Sequence, residues 1–392
     1  MSNEKKKTNV KRMIMLSVIF LAAVGISFVF GLFLGKMLKS QMEGISLGEY
    51  FLWIFAVLAC LYASVFFHVV IHEGGHLVFG LFTGYRFSSF RIGSLMWVKK
   101  DGKLKLKRHS LTGTGGQCLM EPPELIDGKM PYILYNFGGV IANVVFSCFA
   151  VVLAILFKEN GIVAVIFSLF AVIGVGCAIM NGIPLRIGGM DNDGHNAVYI
   201  GKNPEAMRAF WIQMKIVEKM SSGMRIKDMP EEWFLLPSEE GMQNSMIAAI
   251  AVFRCNRFMD ACCFAEADEL MEKLLKQKNA MAGVHRNILV NERIFCELIG
   301  ETRKEVIDSF LTDQQKAFMK SMKKTPSVLR TRYAYTLLFE NKIEEAAKIK
   351  AIFEKVAKTY PYPQELEAEY EMLSLAEEKY QTKSEASSCE TN

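Results

Sequence analysis

The stretch that decides the reading is Tyr50–Phe82, YFLWIFAVLACLYASVFFHVVIHEGGHLVFGLF, because a long apolar run is interrupted by His68, His72, Glu73 and His76. Roughly 20 apolar residues suffice to cross a bilayer as a helix, and this run exceeds that length. Ionisable groups inside such a run cost several kcal/mol if left unpaired, so they demand a compensating partner. Positions four apart stack on one helix face, which lets the imidazoles of His72 and His76 in His72-Glu73-Gly74-Gly75-His76 reach one divalent ion. Glu73, next to the first ligand, can then take a proton from a water activated by that ion. His68 falls on the same face, but three histidines in succession span about 12 Å of helix rise, so His68 reads as a polar neighbour of the ion. Gly74 and Gly75 weaken the helix and leave its backbone open to an approaching strand.

Working outward, three further runs meet the length of a membrane span: 13–35, 132–157 and 161–184, giving about four spans with 50–82. The first follows a basic leader (1–12) that contains Lys5, Lys6, Lys7, Lys11 and Arg12, and reads as a retained anchor with the N-terminus in the cytoplasm. Alternate crossing then puts the lysine- and arginine-rich segment 84–131 inside, in keeping with the positive-inside bias. The expectation is a multi-pass protein of the cell membrane with both termini cytoplasmic. Within 84–115, RFSSFRIGSLMWV and KLKLKRH alternate at period two around Asp101-Gly102, which predicts a small β hairpin at the membrane surface. GTGG at Gly113–Gly116 and EPP at Glu121–Pro123 read as turns.

The nine cysteines are scattered through apolar and helical segments and form no disulfide pattern. A net charge of +5 gives no sign of a nucleic-acid partner.

A catalytic zinc ordinarily keeps three protein ligands and a water, so a third ligand is needed. The fourth run ends in Asn181-Gly182-Ile183-Pro184-Leu185-Arg186-Ile187-Gly188-Gly189-Met190-Asp191-Asn192-Asp193-Gly194, where Pro184 and the glycine pair must break the helix and can present a carboxylate. Asp191 and Asp193 both qualify.

The order of these motifs resembles the site-2 protease family of intramembrane zinc metalloproteases. The resemblance rests on His72-Glu73-Gly74-Gly75-His76, then Gly138-Gly139 with Asn143, then Asn181, Pro184 and Asp193-Gly194, and it covers roughly Tyr62 to Asn196. It implies that His72, His76 and Asp193 hold Zn2+, that Glu73 is the catalytic base, and that Asn143 helps hold the peptide or its developing oxyanion. The implied enzyme is a zinc metalloendopeptidase acting on a membrane protein or peptide. This chain departs from the commoner pattern in the longer spacing between Pro184 and the aspartates, and in Gly138-Gly139 where many relatives have Gly-Pro.

From residue 201 to 380 the pattern changes to helical periodicity rich in Leu, Ala, Met, Glu and Lys. Two stretches read as helical hairpins, 245–277 and 328–360, and Pro326 and Pro361 are separated by close to a tetratricopeptide period. The expected fold is therefore an all-α polytopic membrane domain (13–200), followed by a tetratricopeptide-like α-helical domain and a disordered polar tail (381–392). Such a domain could bind a cytoplasmic protein partner or support a homo-oligomer. Ala334, Ala346 and Ala347 are expected where paired helices meet, and His285 on a helix surface. The competing function is a catalytically silent scaffold or receptor. A metal transporter would account for buried His and Asp but has no need of Glu73.

Overall fold

The computed structural model describes Gly35, Gly44 and residues 46–100, 102–108, 114–187 and 190–389. The run 13–35, read as a first span, lies outside the described residues except for Gly35.

Helix α1 (Leu47–Phe82) is 36 residues long. Ser46 starts it with a capping box: its N–H donates to Glu49 Oε2 at 2.7 Å and its Oγ accepts from the Glu49 N–H at 3.3 Å. Gly84, with φ +87, ends it by taking the left-handed conformation, and the Tyr85 N–H returns to the Gly80 carbonyl. Helix α2 (Ile133–Leu156) follows Pro131, and α3 (Gly161–Gly182) stops just before Pro184. Among the described residues these three helices are long and apolar enough to cross a membrane. Large apolar side chains such as Phe51, Phe55, Phe149 and Leu156 project from them exposed, as lipid contact would require.

Where a hairpin was expected, the chain forms a four-stranded antiparallel sheet. Strands β1 (Arg86–Ile92), β2 (Leu95–Lys100), β3 (Lys103–Arg108) and β4 (Gly116–Glu121) lie in the order β3-β2-β1-β4. The turn at Gly102, φ +72, joins β2 and β3 as the Asp-Gly pair suggested. The longer stretch is itself folded back at Gly93, φ +58, because an αL glycine permits a tight turn within an otherwise continuous alternation. The region assigned to turns contributes Gly116 and the residues up to Glu121 to β4.

After α3 come two short strands, β5 (Arg186–Ile187) and β6 (Met190–Asp191), and helix α4 (Asp193–Tyr199). Helix α5 (Pro204–Ser222) packs Met207, Phe210 and Met214 against Cys118, Met120 and Tyr135. Lys215 of α5 is buried and donates to Glu124 at 2.7 Å, while Trp211 Nε1 donates to the Pro123 carbonyl.

The remaining chain is helical: α6 (Ser245–Asp260), α7 (Phe264–Lys276), α8 (Gly283–Ile299), α9 (Lys304–Phe310), α10 (Asp313–Ser321), α11 (Pro326–Ala334), α12 (Ile343–Ala357) and α13 (Pro363–Cys389). Both expected helical hairpins are present, as α6–α7 and α11–α12. A π-helical segment, Tyr335–Phe339, extends α11. Ala334 and Ala346 are buried in the shared core, whereas Ala347 faces outward. His285 is half-buried, and its Nδ1 is enclosed. Helix α13 runs on through residues 381–389, where composition favoured disorder. Extending an existing helix carries no nucleation cost, and Glu, Lys and Ala propagate it well.

Arg330 of α11 lies at the centre of this helical region, fully buried. It donates to Glu292 Oε2 at 2.5 Å and to Glu369 Oε2 at 2.8 Å, and stacks on Phe295. By their contacts the described residues group into two units, those within Met1–His68 with Asn143–Cys177 and those within Val69–Ala142 with Ala178–Asn392.

Candidate metal centre

His72 and His76, on successive turns of α1, meet Asp193 at the start of α4. His72 Nε2 is 3.0 Å from Asp193 Oδ2, His76 Nε2 is 3.4 Å from the same oxygen, and the two Nε2 atoms are 3.2 Å apart. Donor atoms about 2.0–2.1 Å from a tetrahedral ion lie about 3.3 Å from one another, so the triangle has the right size for one small divalent cation.

Proton bookkeeping points the same way. His76 Nδ1 is 2.7 Å from the Tyr135 carbonyl oxygen, which only accepts, so Nδ1 carries the hydrogen and Nε2 of the neutral ring turns a lone pair into the triangle. One proton on His72 could satisfy a single neighbour there. A cation satisfies all three. Burial opposes the charge on Asp193, but the His72 and His76 imidazoles beside it outweigh that penalty and hold its carboxyl well below the usual carboxylate range.

Close backbone approach makes the geometry possible. A Cβ on Gly75 would lie 2.2 Å from the Gly138 carbonyl oxygen, and one on Gly138 would lie 2.6 Å from the Gly75 oxygen. A Cβ on Gly139 would lie 2.5 Å from the His72 ring. Gly75 is thus a helix-crossing position instead of an opening for a strand, while the space beside Gly74 is free. Gly194 performs the same service on the other side, where a Cβ would meet the Gly182 carbonyl oxygen at 2.2 Å.

Asn192 fixes the carboxylate. Its Oδ1 caps α4 by accepting from the His195 N–H and also accepts from the Leu185 N–H. Its Nδ2 donates to the Met180 and Ile183 carbonyls at 2.8 and 2.7 Å, which closes the C-terminal end of α3. Asp191, the other sequence candidate, is engaged elsewhere: Arg186 Nε donates to it at 2.6 Å and Ser245 Oγ at 2.5 Å.

Glu73 lies against strand β4. A Cβ on Gly116 would be 2.5 Å from Glu73 Cγ, and the Cys118 backbone N–H bonds to the carboxylate. Buried Arg91 anchors the start of that strand, donating to the carbonyls of Gly93 at 2.7 Å and Gly116 at 3.2 Å and to Thr114 Oγ1. The Cys118 thiol is pushed well above its ordinary range by burial and by the Glu73 carboxylate, so it stays protonated. The edge strand beside Glu73 is therefore β4.

Asn143 and His68 form a buried pair, His68 Nδ1 and Asn143 Oδ1 lying 3.2 Å apart. His68 Nε2 reaches the Phe170 carbonyl at 2.9 Å, and Ser147 Oγ donates to the Asn143 carbonyl at 2.7 Å. A Cβ on Gly174 would strike both Ser147 and His68. Both ring nitrogens of His68 are engaged within this cluster.

Sequence reasoning missed Asn192, Arg91 and Tyr135. Asn192 carried a signal, an Asn directly before Asp-Gly after a helix break, which is a favoured cap. Arg91 was indistinguishable from its basic neighbours, and a backbone carbonyl such as that of Tyr135 has no side-chain signature. Comparison with protein-family models, curated proteins and solved structures finds no match to this chain.

Proposed function

We propose that this chain is an intramembrane zinc metalloprotease that hydrolyses a peptide bond of a membrane-embedded or membrane-associated protein or peptide. The observation that carries the reading is the closed triangle of His72, His76 and Asp193 with the Glu73 carboxylate beside it. Two neutral imidazoles and one carboxylate are a donor set that suits zinc and leaves a fourth position for water. Zinc bound there would supply a Lewis acid that lowers the pKa of water toward about 7 and polarises the scissile carbonyl.

The rest falls to the chain's own groups. Glu73 takes the proton of the attacking water and delivers it to the leaving amine nitrogen as the carbon–nitrogen bond breaks. Tyr135, through its carbonyl, holds His76 in the tautomer that presents Nε2. Asn143 remains the residue proposed to donate to the peptide or its developing oxyanion. The scissile segment must be unwound for its carbonyl to be reached, and β4, an edge strand of the sheet, is the strand proposed to pair with it. The tetratricopeptide-like reading of the helical domain belongs to the same proposal, with recruitment of a protein partner, or self-association, as its task. The termini are proposed to be cytoplasmic.

The test expresses the wild type and Glu73→Ala with a panel of single-span membrane proteins and measures metal content in both. One zinc per chain in each form, with a product made by the wild type alone, is expected. Zinc in neither form, or identical cleavage by both, would overturn the reading.

A further inference from the structure

Half of the four-stranded sheet, the β2–β3 ribbon, is amphipathic and takes no part in the proposed chemistry. Its two faces are told apart through α1. A Cβ on Gly116 would meet Glu73, and a Cβ on Gly80 would meet Met120. The face of β4 that carries Gly116, Cys118 and Met120 therefore lies along the last turns of α1. Directly paired residues of antiparallel strands share a face. The register carries this one from Gly116 through Ile92 and Leu95 to Arg108. A second row runs from Cys118 through Phe90 and Trp97 to Leu106, and Lys99 pairs with Leu104 beyond it.

On β2 and β3 this face is apolar and exposed. Leu104 is 64% exposed and Leu106 59%, with Leu95 and Trp97 exposed beside them. The opposite face pairs Lys105 with buried Val98 and Lys107 with buried Met96, and Lys103 follows on the same side.

An exposed apolar row marks a contact surface, and two observations say what the contact is. The row belongs to the sheet face that lies along Glu73 to Gly80, roughly the last 10 Å of a helix long and apolar enough to cross a membrane. That is the depth at which an amphipathic element buries its apolar side at a bilayer surface, and tryptophan is favoured there. Charge supplies the second observation. From Leu95 to Arg108 the chain has six basic residues and one acidic residue, Asp101. Lysine stems can lie along the leucines while their ammonium groups rise to headgroup level, where an anionic surface attracts them.

We propose that the β2–β3 ribbon binds anionic phospholipid of the bilayer that holds the chain. Leu95, Trp97, Leu104 and Leu106 enter the outer acyl region, and Lys103, Lys105, Lys107 and Arg108 bind headgroup phosphates. This rests on α1 being a membrane span and not on proteolysis, so metal content and lipid preference fail separately.

Tryptophan fluorescence of the full-length protein in vesicles tests it, with phosphatidylcholine or phosphatidylglycerol brominated on the acyl chains as quencher. Quenching that disappears in Trp97→Phe belongs to Trp97, and quenching that survives reports the span through Trp53. Trp97 should be quenched by both lipids, with phosphatidylglycerol associating at least threefold more strongly. Replacing Lys103, Lys105 and Lys107 together by Gln should bring that ratio close to one while Trp97 stays quenched. Replacing Lys316, Lys320 and Lys323, exposed positions in the helical region, should leave the ratio unchanged, with circular dichroism confirming that both triple variants are folded. Trp97 shielded from both lipids, as a second copy or a protein partner on the ribbon would shield it, would overturn the proposal. So would equal association of the two lipids, or a preference that persists without the ribbon lysines or vanishes with the distant ones.

Discussion

Gly75 and Gly138 touch backbone to backbone, each so close to the other's carbonyl that neither position has room for a side chain. This contact sets the distance between α1 and α2 at the level of His76 and Tyr135. Gly75→Ala should force the helices apart and cost about 1–3 kcal/mol, as overpacking does. The His76–Tyr135 hydrogen bond should loosen with it, so bound metal should fall at least tenfold in affinity. Gly74→Ala, where the space is open, should leave both quantities near wild type. Metal titration and thermal unfolding of the two variants would check the contrast.

The carboxylate at Asp193 depends on Asn192, which ties the end of α3 to the start of α4. Asn192→Ala removes two donors and a cap acceptor together, and about 1–2 kcal/mol of stability should be lost from the cap alone. Asn192→Asp keeps the cap but repels the Met180 and Ile183 carbonyls, so metal affinity should drop more than cap loss predicts. Competition with a chelator would read this directly.

Asp193→Ala should abolish stoichiometric metal binding, since two imidazoles alone leave the triangle open. Asp191→Ala should retain the metal, because that side chain is spent on Arg186 and Ser245. Elemental analysis of the purified variants distinguishes them. Metal retained by the first and lost by the second would reverse the assignment of the third ligand.

Arg330 is buried with Glu292 and Glu369. Arg330→Met should cost about 3–5 kcal/mol, because it strands two carboxylates out of water. Adding Glu292→Gln and Glu369→Gln to that variant should recover much of the loss. Urea unfolding followed by circular dichroism supplies the measurement.

Glu365 gives the helical region a pH dependence of definite sign. Its folded pKa is raised from 4.5 to about 7, so the folded state binds the proton more tightly than the unfolded state. Its stabilising effect is complete below about 4.5 and is lost as pH rises to about 7, a change on the order of 3 kcal/mol. The groups facing it are the Tyr360 hydroxyl, Asp260, Glu292 and Glu369 with Arg330. Glu369 titrates alongside, pushed up to about 8 by burial and its carboxylate neighbours against the pull of Arg330. Glu365→Gln should flatten the stability profile across this window. An unchanged profile would show that Glu365 does not carry the dependence.

The apolar runs, the His72–His76 spacing, the turn at Gly102 and the two helical hairpins were legible in the sequence. Each is a local pattern: hydropathy over one helix length, a four-residue repeat, a dipeptide that tolerates positive φ, or a 3.6-residue period. Tertiary structure alone tied Asp191 to Ser245 while Asp193 met His72 and His76, set β4 beside Glu73, and drew Arg330 between Glu292 and Glu369. Those outcomes depend on caps, glycine contacts and ion pairs between residues tens to more than a hundred positions apart. Periodicity reports which face of an element is apolar, and it carries no information about which distant face will meet it.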